Sequence, residues 1–151
     1  MIEQNMSFIG QLKRHEGLRL EAYRCSAGAL TVGYGHNCDV WPVDGVTRVG
    51  DVISRARAEE LLTEDVYGIA EDLDFLWPWW REMDRPRQGV LLNMAFNMGV
   101  PRLKTFKRML GALRVGDYPR AGTEMLDSKW AKQVRGRAAE LARQMVLGEW
   151  E

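Results

Sequence analysis

An α+β fold follows from two features of the sequence. Strand-like alternation is confined to one early stretch, and helical periodicity runs through nearly everything after it. Between residues 18 and 35, Leu20, Ala22, Leu30, Val32 and Tyr34 alternate with smaller or polar residues, and Ser26-Ala27-Gly28 marks a turn. From residue 54 onward, apolar residues recur at three- and four-residue intervals. The longest such run, 54–77, lies between the two kinds of pattern. It reads as one helix joining a small β-containing lobe, 17–53, to a larger all-helical lobe, 78–151 together with 1–16. At 151 residues this is one domain with two lobes, large enough to bury a core.

The elements follow in order. Residues 1–16 form a helix with Phe8, Ile9 and Leu12 on one face, stopped by Gly17. Residues 18–35 supply two or three short antiparallel strands. Pro42, Asp44-Gly45 and Gly50 make 37–50 a loop, with at most a brief strand at 46–49. Ser54 caps the long helix, and Ala58, Leu61, Leu62, Asp65, Ile69, Leu73 and Leu76 trace it down to Trp77-Pro78-Trp79-Trp80, which breaks it. That tryptophan cluster reads as a plug in the core or as a sugar-stacking surface. The run 89–98 is apolar all round and suits a buried central helix, ended by Gly99 and Pro101. Leu103, Phe106, Leu110 and Leu113 predict one amphipathic helix with a cationic outer face. Three helices over 118–126, 128–134 and 135–147 complete the chain.

Composition narrows the class. Hydrophobic residues make up 46% and charged residues 28% of the chain, as in a water-soluble globular domain. Two cysteines, Cys25 and Cys38, are too few for a disulfide framework. No apolar run is long enough to span a membrane, and Asn5, Ser7, Gln11 and Lys13 interrupt what would be a signal peptide. The total charge is zero but unevenly spread, with ten acidic against three basic residues in 51–84 and eleven basic against four acidic in 101–144. Such a dipolar chain can turn a basic face to an anionic polymer, or can pack the two faces together. Lys and Arg are scattered in the basic half without a nucleic-acid reading motif, so no nucleic-acid partner is expected.

Chemistry concentrates in residues 15–36. Glu16 stands in the last turn of the first helix, at the negative end of its macrodipole, which favours the protonated form of a carboxyl and hence proton donation. A thiol, Cys25, follows nine residues later, and a hydroxyl, Thr31, six beyond that. On spacing alone, Glu16 also reads as an ordinary surface carboxylate beside a glycine.

The run Glu16-Gly17-Leu18-Arg19-Leu20, then Ala22-Tyr23, Gly28 and Thr31-Val32-Gly33-Tyr34-Gly35-His36, resembles the bacteriophage lysozyme (endolysin) family of glycoside hydrolases. Glu16, Cys25 and Thr31 match the family's Glu, eight residues, Asp or Cys, five residues, Thr. Asn93-Met94-Ala95-Phe96-Asn97-Met98-Gly99, Arg108-Met109-Leu110, Lys129-Trp130 and Arg137-Ala138 resemble later family blocks in the right order, so the likeness covers almost the whole chain. It implies a lysozyme-like fold and a muramidase. Glu16 would protonate the glycosidic oxygen between N-acetylmuramic acid and N-acetylglucosamine, and Thr31 would bind the attacking water with Cys25 beside it. Where many relatives carry Asp, Cys25 could act as base, as nucleophile or as a holder of that water. By the same resemblance His36, Asn37, Phe96, Asn97, Met98, Lys129, Gln133 and Arg137 bind substrate, with Arg137 matching an arginine that pairs with the catalytic Glu. His36 reads equally as a residue that fixes local structure. Cys38 matches no catalytic position.

No metal and no cofactor are expected. The implied partner is peptidoglycan, met by a monomer that is made in the host cytoplasm and reaches the wall through a holin-type pore. The alternative is a catalytically weakened protein on the same fold that binds peptidoglycan or anionic membrane through its basic helices.

Overall fold

The computed structural model describes residues 2–151, with side chains from Ser7 onward. Most of the chain is helical, with one small antiparallel sheet, so the α+β class holds. The helix expected from Met1 begins at Ile2; Met1 lies outside the described residues. Two compact units divide the chain, 12–68 and a second built from Met1–Gln11 with Ile69–Glu151. The divisions fall inside the first helix and the long helix.

The first unit holds the end of α1 (Ile2–Glu16), then β1 (Arg19–Arg24), β2 (Leu30–Gly33) and β3 (His36–Asn37), in the order β1-β2-β3. Gly17 adopts φ 71 and donates its N–H to the Lys13 carbonyl at 2.9 Å, closing α1 through a left-handed residue that a side chain would strain. The brief strand expected at 46–49 does not form. Val43 and Val46 make a single bridge, and it is Gly50–Ile53 that lies along β1, through Gly50 N–H to Ala22 O, Ala22 N–H to Asp51 O and Ile53 N–H to Leu20 O. Asp51 shapes the turn that makes this possible, its carboxylate accepting the N–H groups of Thr47 and Arg48. Those bonds hold its carboxyl below the usual range, with the Thr47 N–H as the main cause. The long helix α2 (Arg55–Leu76) is capped by Ser54, whose hydroxyl accepts from Arg57 N–H at 3.0 Å.

In the second unit a 3-10 turn (Pro78–Glu82) leads into α3 (Arg85–Met98), then α4 (Val100–Leu103), α5 (Lys107–Arg114), α6 (Tyr118–Leu126), α7 (Lys129–Val134) and α8 (Gly136–Leu147). The single amphipathic helix expected across 103–113 is two. Phe106 takes a non-helical ψ of 54, and the Thr105 hydroxyl donates back to Arg102 O at 2.6 Å, ending α4. α3 is central, with Val90, Leu91, Met94 and Ala95 essentially without solvent contact. Buried polar groups around it are satisfied inside: Gln88 Nε2 of α3 donates to the Met83 and Arg81 carbonyls, and Gln144 of α8, fully buried, donates to Pro86 O and accepts from Gln11. The tryptophan cluster belongs to this core. Trp80 is buried with its Nε1–H on Asp74, while Trp77 and Trp79 pack against the same cluster.

Candidate active site

Three residues of the sheet form a cross-strand row. Thr31 of β2 stands opposite Tyr23 of β1 and opposite Asn37 of β3 in the registers of the two ladders. Paired positions share a sheet face, so these side chains rise from the same side. Cys25 follows β1 at the start of the hairpin turn. The turn is closed by Cys25 N–H to Ala29 O at 3.0 Å and Gly28 N–H to Cys25 O at 2.8 Å, with Gly28 at φ 85. Glu16 comes to the same unit from the end of α1. Its helix turn is tied down by Lys13, which pairs with Glu59 of α2 at 2.7 Å while the Tyr34 hydroxyl reaches that carboxylate at 3.3 Å.

Electrostatics connect these groups. Burial raises the Tyr23 phenol above its ordinary value, the Arg19 guanidinium stacked 3.8 Å over its ring works against that, and the charges of Cys25 and Glu16 both add to the rise. Cys25 is held below the usual thiol value by the Ala29 backbone first and Ala27 next, with the Thr31 hydroxyl contributing. Thr31 has one hydroxyl proton, which it donates to Ala29 O at 2.9 Å. Its oxygen is therefore left to accept from a thiol or water. Cys38 is the opposite case. It is buried, and burial pushes its thiol up. Both thiols are free.

His36 is 4% exposed, with Nδ1 at 2.8 Å from an Asp65 carboxylate oxygen and Nε2 at 2.8 Å from the Trp41 carbonyl. Both partners accept, so both bonds are made in full only when both ring nitrogens carry protons. Burial lowers its pKa, but the bonds to Asp65 and Trp41 outweigh that and raise it overall. Asn37 uses its side-chain oxygen on the Asp39 and Val40 N–H groups.

The remaining residues named from the sequence belong to the second unit. Phe96, Asn97 and Met98 end α3 half-buried, and Asn97 accepts the Trp130 Nε1–H at 2.6 Å. Arg137 of α8 forks its Nε and one terminal nitrogen onto the Oδ1 of fully buried Asn93, at 3.0 and 2.8 Å. Lys129 and Gln133 are exposed on α7. Lys129 lines a pocket of about 450 Å³ with Arg102, Lys107, Arg108, Glu124 and Phe106, whose ring meets Trp130 edge-on at 6.4 Å. Sequence reasoning missed this pocket because its cations come from three helices with no common motif. It also missed Tyr23, for which alternation with Thr31 across a hairpin was the available signal. Among the described residues no group of three or more His, Cys, Asp or Glu side chains could hold a metal ion.

The family profile described as phage lysozyme matches residues 13–144. The chain belongs to the phage lysozyme family. That family's members are glycoside hydrolases, and the α+β fold and enzyme class read from the sequence are theirs. Over 165 aligned residues the chain is 32% identical to the pre-baseplate central spike protein Gp5 of Enterobacteria phage T4, covering 97% of this chain and 29% of that protein. It is 34% identical to an endolysin of Acyrthosiphon pisum secondary endosymbiont phage 1 over 86% of this chain and 82% of the endolysin. It is also 33% identical to an endolysin of Bacillus phage B103, covering 82% of this chain and 44% of that protein. No described helix is long and apolar enough to cross a membrane.

Proposed function

We propose that the chain hydrolyses the β-1,4 bond between N-acetylmuramic acid and N-acetylglucosamine in bacterial peptidoglycan, with Glu16, Cys25 and Thr31 as its catalytic set. Glu16 donates a proton to the leaving glycosidic oxygen as positive charge builds on the sugar. Water held by the Thr31 hydroxyl attacks the anomeric carbon, and Cys25 as thiolate accepts the proton that water gives up. The proton balance closes, since Glu16 gives one and Cys25 takes one, and both reset through solvent. The observation that carries this reading is the cross-strand row that puts Thr31 between Tyr23 and Asn37, with Cys25 opening the hairpin turn that joins β1 to β2. Asn37, beside Thr31 in the row, and Phe96, Asn97, Met98, Lys129, Gln133 and Arg137 bind the glycan. His36 serves binding through the loop whose carbonyl it holds. In this reading the protein is a monomer made in the host cytoplasm that reaches the wall through a holin-type pore.

A second reading keeps the fold and gives up the chemistry, as a wall- or membrane-binding protein. The pocket lined by Arg102, Lys107, Arg108 and Lys129 favours it. Product analysis separates the two. Digestion of purified peptidoglycan is expected to release fragments with N-acetylmuramic acid at the new reducing end. Binding without new reducing ends would support the second reading.

A further inference from the structure

Trp41 has no role in the catalytic set, yet 67% of it faces solvent. Its backbone is anything but loose. Its N–H donates to Asn37 O at 3.0 Å, and its carbonyl accepts the buried His36 Nε2–H at 2.8 Å. Asn37 in turn closes the intervening turn through the N–H groups of Asp39 and Val40. Pro42 follows, and then Val43, which is buried and bridged to Val46. The Trp41 backbone is therefore held on both sides, while its indole is exposed. An exposed indole on an anchored backbone offers a flat apolar face to a partner. A backbone that is already ordered also lowers the entropic cost of binding.

Its position and charge identify the occupant. Asn37 is the register partner of Thr31, so one strand spacing and one hydrogen bond put the Trp41 backbone about 10 Å from that of Thr31. The segment 38–52 carries Asp39, Asp44 and Asp51 against Arg48 alone. This negative balance disfavours an anionic lipid surface or a nucleic acid. It leaves an uncharged partner with an apolar face, which the C–H face of a hexosamine ring provides to an indole.

Resting on the muramidase reading above, we propose that Trp41 is a sugar-stacking residue that binds the glycan strand beyond the bond being cut, and so sets affinity for long strands. The experiment uses soluble, uncrosslinked peptidoglycan strands and Trp41→Phe, Trp41→Leu and Trp41→Ala. Trp41→Leu and Trp41→Ala are expected to raise KM about tenfold with kcat little changed, the loss of one aromatic anchor, while Trp41→Phe keeps most of the affinity. Melting temperature is expected to be unchanged in all three, because the anchors are backbone atoms. In parallel, N-acetylglucosamine oligomers are titrated into Glu16→Gln protein, where the tryptophan fluorescence change is expected to vanish with Trp41→Phe. Leucine matching wild type in KM, or a fluorescence change that survives Trp41→Phe, overturns the proposal. So does a Trp41 variant that instead loses binding to phosphatidylglycerol vesicles or loses self-association. If wild type cuts no strands but the Trp41-dependent fluorescence change remains, the muramidase reading fails and the stacking site stands.

Discussion

In the proposed catalytic set Cys25 takes the place of a carboxylate, and its surroundings bear on how a thiol would serve there. The Ala29 and Ala27 backbone lowers it while burial raises Cys38, so the two thiols differ in reactivity as well as exposure. Iodoacetamide near neutral pH is expected to label Cys25 first and to stop wall clearing once one equivalent has reacted. Equal labelling of both thiols, or full activity after labelling, would contradict the assignment. Cys25→Asp is expected to retain activity and move the lower limb of the pH–rate profile toward acid, since an aspartate ionises near ~3.9 and a thiol near ~8.5 in the absence of shifts. An unmoved limb would mean that Cys25 holds water without taking its proton. The spacing of Glu16, Cys25 and Thr31 was legible in the sequence because the end of α1 and the hairpin after it are consecutive in the chain. The direction of the thiol's shift was not, because it is set by backbone N–H groups, which leave no trace in residue identity.

At the scale of elements, the His36 pair decides how the loop after β3 is held. His36 gains Asp65 and Trp41 O on folding, so its folded value stands above the unfolded one. Its contribution to stability is then fully present below the unfolded value near ~6.5 and is lost as pH rises through the folded value. Melting is accordingly expected to occur at higher temperature at about pH 5.5 than at about pH 9, over and above the background set by other groups. Asp65→Asn is expected to remove that difference and to cost about 3 kcal/mol, the usual result of stripping one partner from a buried pair. A pH trend that survives the substitution would rule His36 out as its source. Other element-level features were partly hidden. Helical periodicity marked α2 and its Ser54 cap, but it ran straight through Phe106, because a break made by a threonine hydroxyl folding back on a carbonyl leaves the apolar spacing intact. The strand expected at 46–49 failed for a related reason. The Asp51 carboxylate takes the Thr47 and Arg48 N–H groups into a turn, which leaves them unavailable to a strand ladder.

For the molecule as a whole, zero net charge conceals a basic half, and four of its cations gather at the pocket beside Phe106 and Trp130. Lys107→Glu combined with Arg108→Glu is expected to weaken retention on intact walls several-fold and to flatten its dependence on salt, as loss of screened charge contacts does. Turnover of short soluble strands is expected to hold steady. A salt dependence unchanged by the double substitution would remove the pocket from wall binding. The same experiment bears on the second reading, because a binder without chemistry would lose its only function there. Fold class was legible at this scale, since confined alternation followed by unbroken helical spacing leaves few architectures. The gathering of cations from α4, α5 and α7 was not, because only packing brings them together.

Hydrolysis by Glu16 is the claim on which the others depend, and its direct measurement is the clearing of a peptidoglycan suspension by wild type and Glu16→Gln at matched, folded concentrations. The substitution keeps the side chain's size and removes only its transferable proton. Wild type is expected to clear the suspension, and Glu16→Gln to leave it turbid with an unchanged melting curve. Clearing by Glu16→Gln at the wild-type rate would contradict the account.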